Sequence, residues 1–233
     1  MPHYYYYGFD IYYLILILPA FIISLVAQIR VKSTFSKFSK IPTARRLTGA
    51  EAAERVLRSH GVYDVRIERV SGNLTDHFDP RSKVIRLSDS VCDASSVAAV
   101  GVAAHEAGHA VQYAEKYTPI IIRNKIVPLV NFGSSFSFIA LMLGLALSYD
   151  FLVYIGIGLF SFACLFQLIT LPVELNASNR AMDTIKGEAL LENAEAKGAR
   201  KVLTAAAMTY VAAGVMSIAQ LIRLLAIFSN RRR

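Results

Sequence analysis

Four long apolar runs limit this chain to a small set of folds. They cover 11–29, 126–148, 151–171 and 202–228. At about 1.5 Å per helical residue, even the shortest just crosses a hydrocarbon core of roughly 30 Å. An apolar share of 55% is high for a soluble domain and agrees with membrane segments. The second and third runs are separated only by Tyr149-Asp150, which forces an antiparallel membrane hairpin. Small residues at 131 to 135, with Gly156 and Gly158, offer surfaces for close helix packing.

The flanks of the runs suggest an orientation. Tyrosines at 4 to 7, 12 and 13 suit an interfacial belt, and no basic residue precedes the first run as a cleaved signal peptide requires. Arg30, Lys32, Lys37, Lys40, Arg45 and Arg46 follow it, so the positive-inside rule puts the N-terminus outside and residue 30 onwards in the cytoplasm. The run 202–228 carries Arg223 and ends in Arg231-Arg-Arg233. If it spans, that tail lies outside, against the rule; lying in the interface or re-entering are the alternatives. The net charge of +8 sits mostly beside the runs, which reads as topology signals and anionic-lipid contacts. No aromatic-basic RNA motif accompanies it, so nucleic acid is not an expected partner. Cys92 and Cys164 provide no disulfide framework.

Chemistry enters with His105-Glu106-Ala107-Gly108-His109. Histidines four apart share one helix face and can hold a single ion. Neutral imidazole ligates zinc, and two such ligands leave room for a third protein group and a water. Glu106 stands where a carboxylate can accept a proton from that water. The pattern is HExxH, as in zinc hydrolases. Its rivals are chance and a pair of satisfied histidines on a buried helix. Against them, two of only five histidines bracket a glutamate at ligand spacing. Ser95-Ser96 followed by an apolar segment reads as the start of a helix running into the motif, and Gly108 and Ala110 allow a backbone or substrate to come close.

The membrane hairpin supplies the third ligand. Whatever follows the third run returns to the membrane face that the second run left, and Glu174 stands three residues past the third run. A carboxylate there completes a His2Glu set. The bland alternative is an interfacial glutamate paired with Arg180.

The segment between the first and second runs reads as soluble. Thr48 to Glu51 is a capping box for a helix to about Ser59, with Gly61 ending it. Val62 to Val70 reads as a strand, and Leu74–Phe78 and Lys83–Leu87 as two short strands joined by a turn at 79–82. Ser88 or Asp93 is a candidate cap for the elements leading to the metal-binding helix. A strand edge beside that helix could hold an extended peptide, or the sheet could simply cover the helix. His77 is a candidate oxyanion donor or substrate contact, with a locally bonded turn histidine as the alternative. From Thr184 to Lys201 the chain reads as a solvated helix.

Four blocks carry a family resemblance: Lys32-Ser-Thr-Phe-Ser-Lys37, Leu74-Thr-Asp-His-Phe-Asp-Pro80, Gly101 to Ala110, and Leu171-Pro-Val-Glu-Leu-Asn-Ala-Ser-Asn-Arg-Ala181. In this order they resemble the YugP family of membrane-bound zinc metallopeptidases, over nearly the whole chain. The layout is distantly similar to HtpX and CAAX-prenyl peptidases, gluzincins with HExxH and a downstream glutamate. The resemblance implies zinc-dependent endopeptidase activity, with His105 and His109 as ligands and Glu106 as base. HtpX-type enzymes continue the third ligand as Glu-x-x-x-Asp, the aspartate orienting a ligand histidine. Here Ser178 stands at that place, so Ser178 or Asn179 is the candidate for that support.

The expectation is a mostly α integral membrane protein of about four transmembrane helices with a small α+β zincin-like portion. Its parts are an anchor at 1–30, a cytoplasmic catalytic portion at 31–125, the membrane hairpin at 126–171, the third-ligand segment at 172–201, and an apolar helix with basic tail at 202–233. It would sit multi-pass in the cell membrane, hold one zinc ion at the cytoplasmic face, and cut membrane-proximal or unfolded polypeptides. Its oligomeric state stays open. Two alternatives are an intramembrane peptidase, because 97–104 is apolar, and a silent scaffold with structural zinc.

Overall fold

A computed structural model describes residues 11–231. Among them the elements run α1 (Leu18–Phe38, after a π-helical turn Tyr13–Ile17), α2 (Gly49–Ser59), β1 (Arg66–Val70), β2 (His77–Asp79), β3 (Val84–Ser88), α3 (Val97–Ala114), α4 (Thr118–Ala146), α5 (Asp150–Gly187) and α6 (Asn193–Arg231). The fold is mostly helical with one small sheet, as expected. Four helices among the described residues are long and apolar enough to cross a membrane: α1 with its π turn, α4, α5 and α6. Tyrosines 4 to 7 and the last two arginines of the basic tail lie outside the described residues.

The chain forms two compact units. One comprises residues up to Gln28, Ile122–Leu171 and those from Thr209; the other comprises Ile29–Ile121 and Pro172–Met208. In the first unit, large apolar side chains such as Phe21, Ile22, Phe138, Met142 and Leu165 are exposed, while small clusters around Ile17, Ala20 and Ala219 and around Val153, Ile157 and Phe228 are buried. Apolar outside and tightly packed inside is an arrangement suited to lipid. Close packing falls at Gly156, where a Cβ would stand 2.6 Å from Leu141 Cγ and whose carbonyl accepts from Ser137 Oγ at 2.8 Å. Gly158 faces open space and Gly133 makes only an ordinary contact, so neither contributes as the sequence suggested.

The second unit owes its core to patterned small and branched residues. The α2 capping box forms as expected, Thr48 Oγ1 accepting from Glu51 N and Glu51 Oε2 accepting from Thr48 N. The helix closes in a Schellman turn: Gly61, at φ +69°, donates to Arg58 O and Val62 donates to Leu57 O. That turn consumes Val62, which explains why β1 starts at Arg66 rather than at Val62. β1 pairs in parallel with β3, and β2 pairs antiparallel with β3, in the order β1-β3-β2. Leu74 takes a left-handed φ of +58° and leaves β2 shorter than expected. Ile85 and Leu87 alternate into the core with Val56, Leu57 and the small residues of α3.

The start expected at Ser95-Ser96 is where α3 begins: Ser96 is its cap, the Oγ accepting from Ala99 N at 3.2 Å. Two expectations are corrected. Ser88 and Asp93 are not caps on the way into α3; Ser88 is engaged by Asp76 and Asp93 by Arg69. Residues 184–201 are not one solvated helix: α5 ends at Gly187, α6 starts at Asn193, and Ile185, Leu190, Leu191, Ala196 and Ala199 are buried in the core. The charged residues occupy only the other faces.

The β2–β3 turn is pinned by Asp79, which accepts from Ser82 Oγ at 2.6 Å and from Arg81 N at 2.9 Å. The Ser82 hydroxyl first, then the Arg81 amide, hold its carboxyl down to about 2. The stability this contributes is present above the ordinary carboxylate range and is lost as pH falls towards 2. The protection of β2 amides, relative to their intrinsic exchange rates, should therefore fall between pH 4 and 2, and Asp79→Asn should remove that step; an identical acid profile in the variant would refute the assignment.

Candidate metal centre

Two helices bring the site together. α3 carries His105 and His109 one turn apart, with ring centroids 4.6 Å apart and planes at 78°. α5 continues through Pro172 and carries Glu174. Its Oε2 lies 3.3 Å from His105 Nε2 and 3.4 Å from His109 Nε2. Two donors on one tetrahedral zinc, each at about 2.0–2.1 Å, stand roughly 3.3 Å apart, so both histidine–carboxylate edges already have the spacing of a zinc site. His105, His109 and Glu174 are the group among the described residues whose ligand atoms converge, all within 4.8 Å of one another.

The approach of α5 to α3 depends on Gly108. A Cβ there would stand 2.6 Å from the Ala177 carbonyl oxygen. The glycine between the two histidines thus admits a neighbouring backbone, one of the two uses its small size suggested.

The histidines are held from behind. Gln112 Oε1 faces His109 Nδ1 at 3.0 Å, while Gln112 Nε2 donates to Val173 O and to Asn176 Oδ1, both at 2.8 Å. A backbone carbonyl has no proton to give, so the amide orientation is settled and His109 Nδ1 must donate. Its Nε2 then presents a lone pair to the Glu174 carboxylate. Two buried acceptors 3.4 Å apart are unfavourable unless a cation or a proton lies between them. That donor chemistry fits a divalent metal. Ser178 Oγ lies 3.1 Å from His105 Nδ1, where the sequence expected support. Asn179 is exposed, one residue further round the same helix.

Glu106 is buried next to His105 on α3, and that burial pushes its carboxyl up to about 7, against the pull of His105 and with Glu174 and Asp76 pushing the same way. A carboxyl of that basicity can take a proton and give it back near neutral pH. His77 is exposed at the start of β2, its Nδ1 2.9 Å from Thr75 O, and it acts electrostatically on Glu106. Both readings of this histidine have a feature in their favour. Arg180 pairs with Glu115 and lies 5.9 Å from the Tyr117 ring centroid, so the alternative Glu174–Arg180 pair does not form.

Sequence reasoning missed Gln112 and Asn176. The available signal was a glutamine three residues past His109 in an otherwise apolar helical stretch, a place where an amide is buried only if it is fully bonded.

A model of the family described as "Putative neutral zinc metallopeptidase" matches residues 13–229. The chain is similar to the curated "Putative membrane protease YugP" of Bacillus subtilis (strain 168), with 47% identity over 220 residues, covering 94% of this chain and 98% of the relative. No solved structure gives a significant match.

Gly108→Ala should force α5 away from α3 at an overpacking cost of about 1–3 kcal/mol and weaken zinc binding, while α3 stays helical. Chelator competition against wild type measures this; unchanged affinity would show that the close approach does not place Glu174.

Proposed function

We propose that this chain, which belongs to the "Putative neutral zinc metallopeptidase" family, is a membrane-bound zinc endopeptidase working through His105, Glu106, His109 and Glu174. The observation that carries the reading is the convergence of the Glu174 carboxylate on both histidine Nε2 atoms. His105, His109 and Glu174 would hold one zinc ion, the donor set of a catalytic zinc site. The bound ion supplies a Lewis acid that acidifies water and polarises a carbonyl. Glu106 accepts the proton of the attacking water and delivers it to the departing amine, a task for which a buried carboxyl raised to about 7 is suited. An extended peptide can lie along the free edge of β2, where main-chain hydrogen bonds hold it without dictating its sequence. We read His77, exposed at the start of that strand, as a contact for the substrate.

The apolar segment 97–104 had raised an intramembrane alternative. Its residues are packed inside the core of the second unit, and α3 is not among the four helices suited to crossing a membrane, which favours chemistry outside the bilayer. A silent structural zinc is disfavoured because neither Cys92 nor Cys164 belongs to the ligand group. The positive-inside pattern supports a multi-pass chain with the site on the cytoplasmic side, acting on membrane-proximal or unfolded polypeptides. Labelling of Tyr63→Cys, at a position 79% exposed, from outside intact cells would reverse that orientation.

The decisive assay compares zinc content and cleavage of an unfolded protein by wild type, Glu106→Gln and Glu174→Ala. Wild type should hold one zinc and cleave. Glu106→Gln should keep zinc and lose roughly 10²–10⁴-fold in rate, and Glu174→Ala should lose the metal. A zinc-loaded Glu106→Gln with wild-type activity would remove the proposed base. Tethering the substrate to lipid should raise the rate in a bilayer but not in detergent; equal rates in all arms would reject the membrane-proximal preference.

A further inference from the structure

The metal site is braced by a side chain that the catalytic reading leaves unused. Gln112 is wholly buried, 0% exposed, in the last turns of α3. Both of its amide hydrogens are spent on α5, on the carbonyl of Val173 and on Asn176 Oδ1, and its oxygen takes the Nδ1 proton of His109. Asn176 is held in turn by Arg180 Nε at 2.8 Å, which fixes its oxygen towards Gln112. Val173 and Asn176 stand on either side of Glu174 in the helix. One amide therefore grips a ligand histidine on one helix and, on the other, one backbone carbonyl and one side chain flanking the ligand carboxylate.

We propose that Gln112 is a positioning residue that locks the tautomer of His109 and the register of Glu174 together, with an uncharged partner behind the histidine. The inference rests on the zinc reading above. It goes further in one chemical respect. Ligand histidines often lean on a carboxylate, which makes the imidazole more basic and lessens the positive charge left on the metal. Here His105 leans on the Ser178 hydroxyl and His109 on an amide. Neutral partners leave more of the metal's charge to act on bound water.

The test uses the full chain in detergent, stripped of metal and reloaded with Zn²⁺ or with Co²⁺ as a spectroscopic probe. Gln112→Leu removes the His109 contact and both anchors to α5; Gln112→Glu restores an acceptor for His109 but with charge. Gln112→Leu should bind zinc roughly 10–100-fold more weakly and shift the cobalt visible bands, with the metal-free protein still folded. Gln112→Glu should bind at least about tenfold more tightly than Gln112→Leu, because the histidine partner is restored. Equal affinities for the two variants, or wild-type affinity and cobalt bands in Gln112→Leu, would overturn the inference. If Gln112→Leu does not fold, Gln112→Glu against wild type decides alone: shifted cobalt bands support the contact and unshifted bands overturn it. A wild type that takes up no metal defeats the site reading itself. A wild type that binds metal alongside indifferent Gln112 variants defeats only this inference.

Discussion

The approach of α5 to α3 at Gly108 is the constraint on which the site depends. A side chain there would meet the Ala177 carbonyl at 2.6 Å, so the two backbones are as close as a glycine permits. That closeness brings the Glu174 carboxylate over a histidine pair whose own spacing is set by one helical turn. It also obliges the polar groups between the helices to satisfy one another, since water has little access. Gln112, Asn176 and Ser178 do this, and each bond they make also orients one of the two histidines or the helix that carries Glu174.

The chain uses apolar sequence in two ways that hydropathy alone does not separate. In α4 and the apolar part of α5 the residues are large and many are exposed, among them Phe132, Phe138, Met142 and Phe162. In α3 they are small, and Ala98, Ala99, Ala103, Ala104 and Ala107 are fully buried. Lipid accepts bulky side chains on an outer surface, whereas a helix in the middle of a protein core needs short ones so that its neighbours can pack closely. Residue size separates 97–104 from the four runs, a distinction that the apolar content of the segment alone does not make.

Much of the fold and of the site was legible because it rests on local rules. The Thr48 capping box, the strand turn at Asp79, the four long helices and the histidine spacing all follow from residues within a few positions of one another. Glu174 was reachable because a short link, three residues between α4 and α5, turns the chain back antiparallel. What escaped depended on contacts distant in sequence. Ser88 and Asp93, read as candidate caps, are engaged instead by Asp76 and Arg69, 12 and 24 residues away. The segment 184–201 looked solvated because its charges outnumber the few apolar positions that meet the core. Gln112 could be noticed as an oddity, but its partners Val173 and Asn176 lie 61 and 64 residues away.

X-ray absorption at the zinc edge of the purified, zinc-loaded wild type tests, without reference to any substrate, whether one zinc is held by two imidazoles and one carboxylate with a position left open. Four nitrogen or oxygen neighbours at about 2.0–2.1 Å are expected, two of them with the outer-ring scattering of histidine. A sulfur neighbour near about 2.3 Å, or more than two imidazoles, would contradict the ligand set and the open catalytic position with it.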